Sequence, residues 1–204
     1  MIVALHRIVD DQRCMVGGKG YALGQLIKRG YRVPKGFCVT AEAYRQYIHE
    51  TGLGDLVRME LNRKELGEMR WEEIWDTSLR IRSHFLRTEI PDSIKKKIEK
   101  HLVKHCATGK FAVRSSSPEE DASLTSFAGL HDSYIGLQGT DSIIHHIKLV
   151  WASLWSNRAL LYRRESNLDP SSSSMAVVIQ KLIEGDVSGI AFSRNPNDSD
   201  QSVI

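Results

Sequence analysis

At 204 residues, with 41% hydrophobic and 26% charged content, the chain is long enough to bury a core as one large domain or two small lobes. Its 28 basic and 25 acidic residues leave a net charge of +3, which gives no electrostatic reason to expect a nucleic acid or membrane partner. Cys14, Cys38 and Cys106 lack CxxC spacing, which argues against a disulfide scaffold or zinc site, and no stretch approaches the roughly 20 apolar residues of a membrane span.

Met1–His6 has no basic start of the kind a secretory signal carries, and the unpaired cysteines suit a reducing compartment, so the expected location is the cytoplasm. Val16-Gly17-Gly18-Lys19-Gly20 then leads into a helix expected over Lys19–Arg29, with Leu23, Leu26 and Ile27 on one face and Gly30 as a left-handed stop. Two glycines before a lysine at a helix start suit an anion, because free N–H groups and the helix dipole both favour negative charge there. The GxxxxGK[ST] spacing is absent, and a plain turn feeding a helix is the other reading.

Val33–Val39 reads as a turn into a short strand, and Thr40 as the hydroxyl cap of a helix reaching about His49. The spacing of Trp71, Ile74, Trp75, Ser78, Arg82, Phe85 and Leu86 predicts an amphipathic helix whose aromatics belong to the core. After Pro91, a helix over Asp92–His105 turns Ile94, Ile98 and Leu102 inward.

Phe111-Ala112-Val113-Arg114-Ser115-Ser116 is the most informative segment. An apolar strand can hold the Arg114 guanidinium rigidly, and that planar fork matches phosphate oxygens in pairs. Taken alone, an arginine after a strand is more often a surface or ion-pair residue. Phe127-Ala128-Gly129 adds a glycine that permits close backbone approach to an anion. The run Pro118–Asp121 either pairs with a phosphate-binding cation or solvates a loop.

Asp132–Leu137 alternates as a strand, Gly139–Asp141 supplies a turn and cap, and Ser142–Glu165 reads as one long helix. His145 and His146 point about 100° apart on it and cannot chelate one metal by themselves. Arg158, Arg163 and Arg164 read as solvated or ion-paired. Met175–Ile183 and Val187–Phe192 are expected as two strands around Glu184-Gly185-Asp186.

In order and spacing, VGGKG, VPKGFCVT, FAVRSS, SFAG, WASLWSNRALLYR and VVIQKLIEGDVSGIAFSRNP make the chain resemble the nucleotide-binding module of the phosphoenolpyruvate synthase and pyruvate, phosphate dikinase family. The likeness runs from about Val16 almost to the end. It implies an α+β fold of ATP-grasp type, incomplete, with a helical segment and a mixed sheet. Residues 1–110 would form a lobe with the glycine turn, and 111–204 a strand-rich lobe.

The resemblance implies ATP as ligand: Lys19 and Arg114 on its phosphates, Gly129 and Ser133 in a phosphate-covering loop, and Gln180 bordering adenine. The family loop carries glutamines after its glycine, where this chain has Leu130-His131-Asp132. Magnesium ligands are expected in a second subdomain after Ser188–Arg194, so the segment reads as truncated and inactive alone. In the intact relative, ATP phosphorylates a mobile histidine with loss of AMP, and pyruvate takes the phosphoryl group. An antibiotic phosphotransferase or a non-catalytic nucleotide-binding module are the alternatives.

Overall fold

A computed structural model describes residues 1–105, 109–118, 130–170 and 173–189. Its strands are β1 (Ile2–Ala4), β2 (Gly36–Val39), β3 (Phe111–Ser116), β4 (Ser133–Leu137) and β5 (Ala176–Lys181). Its helices are α1 (Arg13–Lys28), α2 (Ala41–Glu50), α3 (Leu53–Leu61), α4 (Trp71–Arg87), α5 (Asp92–His105), α6 (Thr140–Ser153) and α7 (Asn157–Glu165).

The fold is α+β, and among the described residues it is built on a five-stranded sheet of order β1-β2-β5-β3-β4. Every pairing among the described strands is antiparallel, which corrects the expected mixed sheet. The last described strand, β5, enters between β2 and β3, so the sheet runs straight across the expected division at residue 110.

Alternation along each strand separates two apolar layers. Phe37, Val39, Phe111, Val113, Val177 and Ile179 face a large core shared with α2, α4, α5 and α6. Cys38, Ala176 and Val178 face a smaller core with Val16, Leu5 and Ile8, the side that α1 covers. In the larger core Tyr47 stacks on Trp151 at 5.1 Å, its hydroxyl donating to the Thr88 carbonyl at 3.0 Å.

Several elements follow the sequence reading. The Asp92–His105 helix buries Ile94, Ile98 and Leu102. Gly30, at φ 83°, ends α1 as expected: its N–H bonds Ile27 while the Tyr31 N–H reaches back to Leu26, satisfying carbonyls the helix leaves free. Leu26 itself is exposed, not inward.

Other expectations are corrected. Thr40 stands at the start of α2, but its hydroxyl is buried without a partner and caps nothing. Trp71 and Trp75 are 53% and 47% exposed and lie against each other at 5.1 Å outside the core. The inward stripe of α4 is Ile74, Thr77, Ser78, Ile81 and Phe85, whose small members let a neighbour approach: Ser78 Oγ donates to the Trp155 carbonyl at 2.8 Å.

The long helix expected over Ser142–Glu165 is two helices. A tight turn at Leu154 and Trp155 ends α6, and Ser156 begins α7 by accepting the Ala159 N–H at 3.2 Å. Residues 182–189 form no strand, and the remainder of the expected Val187–Phe192 strand lies outside the described residues.

Candidate functional site

The site grows from the end of β3. Val113 belongs to the large core, so Ala112, Arg114 and Ser116 present to the opposite face, the one that α1 covers. Ser116 is fully buried there. Its hydroxyl donates to the Val16 carbonyl at 2.7 Å and accepts the Gly20 N–H at 2.9 Å, while the Gly18 N–H donates to the Ser117 carbonyl at 3.3 Å. These bonds clamp both ends of the glycine turn to the strand terminus.

Gly17 makes the clamp possible. Its backbone, at φ 71° and ψ 173°, breaks α1 into two helical pieces. A Cβ there would lie 2.0 Å from the Ser116 carbonyl oxygen, so only glycine allows this approach. The helix resumes immediately, which puts Lys19 in the first turn of the second piece, where N–H groups and dipole favour an anion.

Arg114 lies two residues before Ser116 on the same face. It is partly exposed and makes no hydrogen bond or ion pair among the described residues. Ser133 is its register partner on β4, hence on the same side, and is exposed. Gln180 pairs across β5 with Ala112 on one neighbour and Gly36 on the other, so it shares that face. The residue is 7% exposed, and its amide is held by donation to the Pro34 carbonyl at 3.1 Å. Gly129 and the acidic run from Glu119 lie outside the described residues. The fold therefore brings Lys19, Arg114, Ser133 and Gln180 to one face of the sheet.

The sequence reading passed over His131, which enters this environment between β3 and β4. Burial, reinforced by the Arg163 and Lys19 cations, pushes its imidazole down to about 4, against a weaker upward pull from a hydrogen bond with the Ser153 backbone. At neutral pH it is an uncharged group held at the Ser153 backbone, within the field of Arg163 and, more weakly, Lys19. The available signal was its position in the loop between Gly129 and Ser133.

Two of the three α7 arginines differ from their reading as well, while Arg158 is exposed as expected. Arg163 is 1% exposed, donates to the Leu154 carbonyl at 2.8 Å and sits 5.9 Å from the Trp155 ring centroid. Arg164 donates to the Met69 carbonyl at 3.0 Å. Both brace helices.

Two cations, a serine and a glycine turn gathered on one face form a surface suited to a polyanion. Residues 13–204 match the model of the pyruvate phosphate dikinase AMP/ATP-binding domain. The chain is 37% identical to phosphoenolpyruvate synthase of Aeropyrum pernix, over all of this chain and 25% of that protein. It is 34% identical to rifampicin phosphotransferase of Bacillus subtilis, over all of this chain and 23% of that protein. The probable phosphoenolpyruvate synthase of Staphylothermus marinus is 34% identical, again over all of this chain and 25% of that protein. The chain thus spans about a quarter of the length of the curated relatives it matches. With nearly its whole length covered, it belongs to the pyruvate phosphate dikinase AMP/ATP-binding domain family.

Proposed function

We propose that the chain is the ATP-binding portion, of ATP-grasp type, of a cytoplasmic phosphoenolpyruvate synthase-like phosphotransferase. The observation that carries this reading is the clamp through Ser116, which ties the Gly17–Gly20 turn to the strand bearing Arg114. Lys19 and Arg114 neutralise and orient the triphosphate, with Gly129 and Ser133 covering it. Gln180, locked by Pro34, borders the adenine. Phosphoryl transfer depends on positioning and charge stabilisation more than on covalent chemistry by the protein, so these contacts suffice as the contribution of this portion.

The 1–110 lobe brings the lysine and the 111–204 lobe the arginine. In the intact protein, ATP phosphorylates a mobile histidine and the group passes to pyruvate. Among the described residues no group of three or more His, Cys, Asp or Glu could hold a metal ion.

Calorimetric titration of the intact protein with ATP tests the assignment. A charge-assisted hydrogen bond is worth about 1.5–3 kcal/mol, so Arg114→Met and Lys19→Met should each weaken binding by roughly ten- to a hundredfold. Arg158→Met, on the exposed face of α7, should leave it unchanged. Unaltered affinity in both site variants would remove the reading. A second reading, an antibiotic phosphotransferase, is favoured by the 34–36% identity to rifampicin phosphotransferases. ATP-dependent AMP release that requires rifampicin and ignores pyruvate would select it.

A further inference from the structure

The helical layer on the far side of the sheet from α1 contains a separate cleft of about 330 Å³, between α2, the start of α3 and the turn after α6. That size lies at the lower end of small-molecule sites, which run roughly 300–1,000 Å³. Its floor is buried and aromatic: Tyr44, Val57 and Trp155, with the Trp155 indole N–H donating to the Tyr44 hydroxyl at 3.0 Å. Gly54 leaves one wall low.

The rim is charged and exposed, and its positive groups outnumber its negative one. Arg58 is already paired with Asp55. Among the described residues Arg45 has a single long contact, 3.4 Å to the Ser174 hydroxyl, which leaves most of its donor fork uncommitted there. Beside it, Ser173 lines the cleft at 6% exposure with a buried hydroxyl that has no hydrogen-bond partner among the described residues. A buried hydroxyl left unmatched is unfavourable, and an acceptor arriving in the cleft would satisfy it.

We propose that this cleft binds a small planar carboxylate. Its apolar body lies on the Tyr44 and Trp155 edges, and its carboxylate sits between the Arg45 guanidinium and the Ser173 hydroxyl. The aromatic floor selects a flat apolar body. The guanidinium next to an unmatched donor selects an anion with acceptor oxygens. None of these residues faces the sheet surface that carries Arg114 and Ser116, so the site is independent of the nucleotide reading.

The probe is 2-naphthoate, titrated into the intact protein while the indole N–H signals are followed by heteronuclear NMR, the Trp155 signal being assigned with Trp155→Phe. Saturable displacement of the Trp155 signal is expected, with a Kd on the order of 0.1–1 mM for so small a ligand. Arg45→Met, at an exposed position, should weaken binding at least about tenfold, which corresponds to about 1.4 kcal/mol. Gly54→Leu should do the same by filling the cleft, since a Cβ there meets only Ile48 at 3.7 Å or more. Naphthalene-2-methanol, the neutral analogue, should bind at least about tenfold more weakly than the acid. No saturable shift at about 10 mM 2-naphthoate, equal binding of acid and alcohol, or unchanged binding in either variant would each overturn the proposal.

Discussion

Two glycines with the same backbone sign separate conformational strain from steric exclusion. Gly17 and Gly30 sit at φ 71° and φ 83°, but a Cβ on Gly30 meets nothing within 4 Å whereas one on Gly17 strikes the Ser116 carbonyl. Gly30→Ala should therefore lower stability by only about 1–2 kcal/mol, the left-handed penalty for a side chain. Gly17→Ala adds an overpacked contact that the clamp cannot relieve, for a total of roughly 3–5 kcal/mol. Urea unfolding of both variants measures the difference, and equal losses would mean that the turn moves aside freely.

His131 supplies a pH signature at the same scale. Its folded pKa, about 4, lies below the ordinary 6.5, so between those values the unfolded chain binds the extra proton and stability rises with pH. Acidification from about pH 6.5 to pH 4 should then remove up to roughly 3 kcal/mol through this residue. In His131→Gln that contribution disappears. Unfolding free energies of both proteins at pH 7 and pH 4.5 give the comparison, and parallel acid losses would refute the buried neutral imidazole.

Among the elements, α7 depends on a single hydroxyl. Ser156 satisfies the Ala159 N–H, and Ser156→Ala should cost about 1 kcal/mol and fray the first turn of α7, visible as faster amide exchange at Ala159 and Leu160. Unchanged exchange there would assign the break to the core instead. That break was hidden in the sequence because Trp151, Leu154, Trp155 and Leu160 are all buried in one core, so the apolar period continues through a turn. Ser156 was the local sign of it. Conversely, β3 and α5 were legible because their apolar residues and their bounding proline or polar neighbours agree on the same period. Trp71 and Trp75 misled because size was taken for burial, while the inward stripe of α4 sets Thr77 and Ser78 among Ile74, Ile81 and Phe85, and those two small residues admit the neighbouring helices. At the site, Lys19 and Arg114 could be read from local chemistry, but their common face could not, since the Ser116 clamp joins positions 96 and 100 residues apart.

At the scale of the whole molecule, the sheet order decides what can fold alone. Both strands within residues 1–110 depend on β5: β2 pairs with it along Gly36–Val39, and β1 pairs only with β2 among the described strands. Without residues 111–204, β1 and β2 are a two-stranded ribbon, which is marginal in water. The same cut strips Trp151 from Tyr44 and Tyr47, and Ser116 from Val16 and Gly20, so both apolar layers and the glycine turn lose their closing contacts. A fragment of residues 1–110 should accordingly show a poorly dispersed amide spectrum and no cooperative thermal transition. Mixing it with a fragment of residues 111–204 should restore both, because the missing pairings are non-covalent and can form in trans. A dispersed spectrum and a cooperative transition for residues 1–110 alone would show that this segment carries its own core and that the β2 to β5 pairing is an accessory of the fold.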